Sequence, residues 1–119
     1  MRKLEEFTAY RKSLELFDCV VEDMKRLAGI NDIMRLRSQQ YASADSICAN
    51  MEEGSGRWSA AEFIHYLVIA RGSAVETAGR YRRLGEWLPA GIVAERVALC
   101  EEIIAILTST ISKMKRRKP

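Results

Sequence analysis

Apolar residues in this chain recur at alternating steps of three and four, and they do so in three separate long stretches. Phe7, Tyr10, Leu14, Phe17, Val21, Met24 and Ala28 are spaced by 3, 4, 3, 4, 3 and 4 residues. Phe63, Leu67, Ala70, Ala74, Thr77, Tyr81, Leu84 and Leu88 alternate in the same way, as do Val93, Val97, Cys100, Ile104, Leu107, Ile111 and Met114. A mean step of three and a half keeps one oily stripe of a helix turned toward a neighbouring helix along its whole length. A strand would need a period of two, so the pattern excludes a sheet. Only two prolines occur, Pro89 and Pro119, and little else interrupts helices.

The stretch between the first two stripes is less regular. Ile33, Ala44, Ile47 and Met51 share a face, but Arg37 and Gln40 interrupt it, and Ala42, Ser43, Ala44, Ser46 and Ala49 are all small. Such a helix either lies pressed against neighbours, including another subunit, or is moderately exposed. Gly29 is the natural stop for the first helix, with Asn31 or Asp32 capping the second. Gly54 and Gly56 offer the freedom a helix end needs, and Ser59 followed by Glu62 has capping-box spacing. Pro89 and Gly91 stop the third helix. Helices are therefore predicted over about 7–28, 32–53, 60–88 and 91–112, forming one domain over 1–112 with a basic tail over 113–119. Long helices with short connections imply an all-α, up-down-up-down antiparallel four-helix bundle. A second apolar row on the last helix, Ile92, Leu99, Ile103 and Ile106, widens its stripe beyond the needs of a small core and predicts self-association into a homo-oligomer.

With 48% hydrophobic and 29% charged residues, the 119-residue chain is neither disordered nor membrane-spanning, and it is long enough to bury a core without metal or disulfides. The opening Met1-Arg2-Lys3-Leu4-Glu5-Glu6 carries no apolar leader, so a cytoplasmic protein with no membrane partner is expected. Cys19, Cys48 and Cys100 are far apart and sit among apolar or small residues, as buried reduced thiols do.

The net charge is +3, and its placement matters more than its size. Lys113, Lys115, Arg116, Arg117 and Lys118 are five of the 19 basic residues; without them 14 face 16 acids, a body of −2. In an antiparallel bundle the N-terminus, the turn after the second helix and the C-terminus share one end. That end would gather Arg2, Lys3, Arg57 and the five C-terminal cations against Glu5, Glu6, Glu52, Glu53 and Glu62. Trp58 in the turn either stacks on a base or covers the hydrophobic end. Arg80, Arg82 and Arg83 fall toward the other end and read as solvated surface.

Catalytic residues are not evident. His65 is the only histidine, with no acid and nucleophile at triad positions. Glu62 and His65 form half of a di-iron pattern whose second half is missing, so neither a metal nor another cofactor is expected. Asn50, Glu53, Ser73 and Glu76 read as a structural polar cluster holding the second helix to the third. Glu53 and Arg57, and Glu76 and Arg80, stand at ion-pair spacing, and Gly72-Ser73 suggests close helix approach.

The segment Ser46-Ile47-Cys48-Ala49-Asn50-Met51-Glu52-Glu53-Gly54-Ser55-Gly56-Arg57, with Glu62-Phe63, Leu67, Ile69-Ala70-Arg71-Gly72-Ser73 and Glu76, resembles the four-helix bundle proteins encoded in intervening sequences of bacterial 23S ribosomal RNA genes, also called S23 ribosomal proteins. Phe7 fits as well, so the resemblance covers nearly the whole chain. It implies a small homopentamer. A related group comprises accessory proteins of diversity-generating retroelements that associate with reverse transcriptase and nucleic acid. The chain departs from the pattern at Ser38-Gln39-Gln40-Tyr41-Ala42-Ser43-Ala44, where the family has paired arginines, at Cys48 in place of proline and at Glu52 in place of alanine. The expectation is a non-enzymatic ring-forming bundle that binds RNA or DNA backbone through its basic pole. The alternative is a structural or protein-interaction module.

Overall fold

The computed structural model describes residues 3–117. Four α-helices, α1 (Thr8–Arg26), α2 (Met34–Ser55), α3 (Ala60–Arg83) and α4 (Ala90–Arg116), are joined by short connections, with single 3-10 turns at Leu4–Glu6, Asn31–Ile33 and Leu84–Glu86. No strand occurs among the described residues. α1 packs on α2 and α4, and α3 packs on the same two, so the helices close a square in cross-section within an envelope of 51 × 22 × 20 Å.

The helix ends follow local chemistry, not always as expected. Gly29, with φ of 89°, carries the turn after α1 and is the only positive-φ residue among those described. Asn31 and Asp32 do not cap α2; they form a 3-10 turn, and the N-cap position falls on Ile33 with no side-chain bond. Arg37 instead secures that corner by donating from Nε to the Met24 carbonyl at 2.9 Å, which satisfies an orphan acceptor at the end of α1. Ser59 caps α3 by accepting from the Glu62 amide at 3.1 Å. Gly54 lies inside α2, and Gly56 has ordinary right-handed angles (φ −86°), so neither glycine is needed for conformational freedom. Gly54 is needed for space. A Cβ there would lie 2.8 Å from Tyr66 Cβ and 2.9 Å from Phe63 Cδ1, so the close approach of α2 and α3 occurs here and not at Gly72, whose added Cβ would meet nothing.

α3 gives way at Leu84 to a 3-10 turn, and Leu88 still reaches the core. Gly91 lies in the first turn of α4, which begins at Ala90. The basic segment expected as a tail continues α4 as far as Arg116, and its cations complement the negative end of the helix dipole.

The core contains Leu16, Met24, Ile47, Met51, Leu67, Tyr81, Ile103 and Leu107, all without exposure. The α3 stripe is the expected one. On α1 the buried face is rotated: Ala9, Ser13, Leu16, Val20, Met24 and Leu27 point inward, Phe7, Tyr10 and Phe17 flank them, and Leu14 is 41% exposed. Ser13 tolerates this position because its hydroxyl donates to the Tyr10 carbonyl at 2.7 Å. On α4, Ile103 is fully buried and Ile92, Leu99 and Ile106 are half-buried. The second row is therefore partly covered within the chain, because α4 packs on both α1 and α3. Exposed large apolar side chains include Val68, Ile69 and Val75 on α3, besides Leu14 on α1, Met34 on α2, and Trp58 and Trp87 in the connections.

Candidate nucleic-acid interface

Residues from both ends of the chain and from the α2–α3 turn surround one cavity of about 570 Å³. Lys3, Lys113 and Arg117 bring cationic groups to its wall, and Arg57 and Trp58 come from the turn. Leu4, Phe7, Phe63 and Met114 supply an apolar lining and are partly buried against the core. Lys115 and Arg116 are exposed on the last turns of α4 but do not line the cavity, and Arg116 donates to Ser112 Oγ at 2.8 Å. Arg2 and Lys118, expected at this pole, lie outside the described residues.

The cations are not equivalent. Arg57 pairs with Glu53 at 2.9 Å, approaches Glu62 at 4.0 Å, donates to the Tyr66 hydroxyl at 3.0 Å and stacks over that ring at 5.2 Å. Tyr66 and Glu53 raise its pKa further, and its charge is largely spoken for within the turn. Lys3, Lys113 and Arg117 make no ion pair among the described residues. Nearby, Glu52 accepts from the Tyr10 hydroxyl at 2.7 Å, an interaction that pushes the phenol up to about 12. Trp58 is fully exposed beside these groups and does not cover the hydrophobic end.

The expected polar cluster divides into separate parts. Asn50 Nδ2 donates to the Ser46 carbonyl and hydroxyl at 2.8 and 3.0 Å, and Ser46 shares a 2.8 Å hydrogen bond with Ser73, which fastens α2 to α3. Glu53 belongs to the turn with Arg57. Glu76 lines a smaller polar cavity of about 300 Å³ but makes no ion pair with Arg80 within 4 Å. Arg80 turns under α2, is only 8% exposed, and donates from one nitrogen to Gln39 O, Gln40 Oε1 and Ser43 Oγ at 3.3, 2.9 and 2.9 Å. Burial lowers its pKa, and Arg83 adds to the effect. Arg80 is thus a buried connector, not solvated surface; Arg82 and Arg83 are exposed. Gln40, which interrupts the α2 stripe in the sequence, is fully buried and donates to the Thr77 carbonyl at 3.0 Å.

At the other end of the bundle lies an ion pair that apolar spacing did not reveal. Asp23 has no exposure, accepts from Arg96 Nε and Nη2 at 2.8 and 3.1 Å, and accepts from the Tyr81 hydroxyl at 2.7 Å. Burial and then Asp23 raise the Tyr81 pKa, while the hydrogen bond to Asp23 raises that of Arg96. The triad fastens α1, α3 and α4 to one another. His65 is exposed against the edge of Tyr66, with ring centroids 5.4 Å apart. Among the described residues no three His, Cys, Asp or Glu side chains are grouped to hold a metal ion, and no helix is long and apolar enough to cross a membrane. The three thiols are free, with Cys48 and Cys100 buried and Cys19 half-buried.

Comparison with known proteins gives three results. No curated protein matches the chain. The crystal structure of a protein of unknown function from the S23 ribosomal protein family of Bacteroides thetaiotaomicron VPI-5482 superposes with a TM-score of 0.82 at 29% identity, covering 87% of this chain and 98% of the other. A family model described as 23S rRNA-intervening sequence protein matches residues 5–109, a span that takes in α1 to α3 and most of α4 and leaves Lys3, Lys113 and Arg117 outside it. The chain belongs to the 23S rRNA-intervening sequence protein family.

Proposed function

We propose that this protein is a non-enzymatic accessory protein of the cytoplasm that holds the phosphate backbone of RNA or DNA at its basic pole. The observation that carries the proposal is the convergence of Lys3, Lys113 and Arg117 on one cavity with no carboxylate partner among the described residues. Unpaired cations gathered in one place repel one another, and polyanion binding relieves that repulsion while releasing counterions from the nucleic acid. An up-down-up-down order of the helices accounts for the meeting of both termini with the α2–α3 turn. Assembly into a ring adds the poles of its subunits on one side. Support for assembly comes from exposed Val68, Ile69 and Val75 on α3 rather than from α4. A pentamer and association with a reverse transcriptase rest on the family resemblance alone. The same exposed apolar residues favour the second reading, a protein-interaction module.

Charge reversal tests the proposal. Lys113→Glu with Arg117→Glu should weaken binding of a generic RNA at least tenfold at low salt, while Arg83→Glu at the far end of α3 should change it less than twofold. Equal effects of the two variants would remove the pole from the account. Absence of RNA and DNA binding by the unmodified protein would favour the protein-interaction reading.

A further inference from the structure

The basic pole is more than a charged surface, because it borders an open, largely apolar recess and carries a bare indole beside it. Folding gives no reason for this indole to stay in water. Trp58 is 100% exposed, whereas Phe7, Phe63 and Met114 lie partly buried in the wall of the same cavity. An exposed large aromatic beside an apolar recess marks a surface that is completed by something else. The cavity, at about 570 Å³, falls in the range of ~300–1,000 Å³ that holds small ligands.

A duplex presents phosphates and groove edges to such a pole, with its base faces stacked away. It would satisfy Lys3, Lys113 and Arg117 and leave the apolar lining and Trp58 wet. An unpaired nucleotide offers both chemistries at once, a flat apolar face and an adjacent anionic backbone. We infer that the cavity takes an unpaired base of a single strand, stacked on Trp58 and against Phe63, with neighbouring phosphates held by Lys3, Lys113 and Arg117. This rests on the pole being the nucleic-acid surface and adds that it selects single strands over duplex. The contacts are to base faces and phosphates, which RNA and DNA share.

The chain has two tryptophans, so Trp87→Phe leaves Trp58 as the sole indole reporter in the full-length protein. Oligo(U), oligo(dT) and a blunt duplex of equal length are titrated against it at one salt concentration. Quenching of Trp58 by either single strand, with affinity about tenfold above that for duplex, is the expected result, and the stronger response identifies RNA or DNA as the source. Trp58→Ala, followed by anisotropy of labelled strands, should lower single-strand affinity about tenfold and leave duplex affinity unchanged. Equal affinity for both forms without quenching overturns the inference and leaves the phosphate-binding pole standing. Quenching by poly-glutamate as strong as by the strands also overturns it, and absence of binding to every nucleic acid defeats the pole itself.

Discussion

Tyr81 and Asp23, both without solvent exposure, are joined by a 2.7 Å hydrogen bond that ties α3 to α1, and Arg96 of α4 closes on the same carboxylate. Removing one member of a buried charged group leaves the others unpaired, which costs more than the group contributes as a whole. Asp23→Ala should therefore destabilise the fold by about 3–5 kcal/mol, and Tyr81→Phe by only about 1–2 kcal/mol. Asp23→Leu combined with Arg96→Met should be less destabilising than Asp23→Leu alone. Urea unfolding of these four variants and of Arg96→Met alone measures each difference; strict additivity of the pair would show that the charges are not coupled.

Two glycines should respond in opposite directions to the same substitution. Gly54→Ala forces a methyl to within 3 Å of Tyr66 and Phe63 and should cost about 1–3 kcal/mol. Gly72→Ala adds a methyl in open space on a helix and should stabilise by about 0.5–1 kcal/mol. Thermal melts of both variants test this, and a shift of the same sign in each would contradict the packing described between α2 and α3.

The buried thiol of Cys100 predicts a loss of stability in alkali. Burial pushes this group up to about 12 in the folded chain, while an unfolded thiol ionises near ~8.5. A raised pKa of an acid means the unfolded state loses its proton first. The contribution is thus complete below about pH 8.5 and is lost as pH rises toward 12, at about 1.4 kcal/mol per unit. Between pH 9 and 10.5, Cys100→Ala should lose stability less steeply than the unmodified protein by roughly that slope. Parallel curves in chemical denaturation would place the alkaline sensitivity elsewhere.

How far the sequence foretold this structure depends on the kind of residue consulted. Leu67, Ala70, Ala74, Thr77, Tyr81 and Leu84 were legible as the α3 core because one stripe of apolar residues at helical spacing meets one groove. On α1 the large residues Phe7, Tyr10 and Phe17 misled, since they flank a face centred on small Ala9 and Ser13. Asp23 and Arg80 were invisible to hydropathy; what buries them is partners on other helices, Arg96 and Tyr81 for one, Gln40 and Ser43 for the other. The meeting of Lys3, Arg57, Trp58, Lys113 and Arg117 at one cavity was legible in part, since Lys115 and Arg116 lie off it, and the cap at Ser59 was legible from spacing. The pairing of Arg57 with Glu53 was legible from spacing, but its consequence, that Arg57 is no longer a free cation, needed the distances.

The central claim is that Lys3, Lys113 and Arg117 hold phosphates, and the salt dependence of binding tests it most directly. Anisotropy of a labelled single-stranded RNA is followed across salt concentrations with the unmodified protein and with the Lys3→Gln, Lys113→Gln, Arg117→Gln variant. Each lost phosphate contact removes about 0.7 from the slope of log affinity against log salt. The slope should therefore flatten by about 2 in the triple variant; an unchanged slope would contradict the claim.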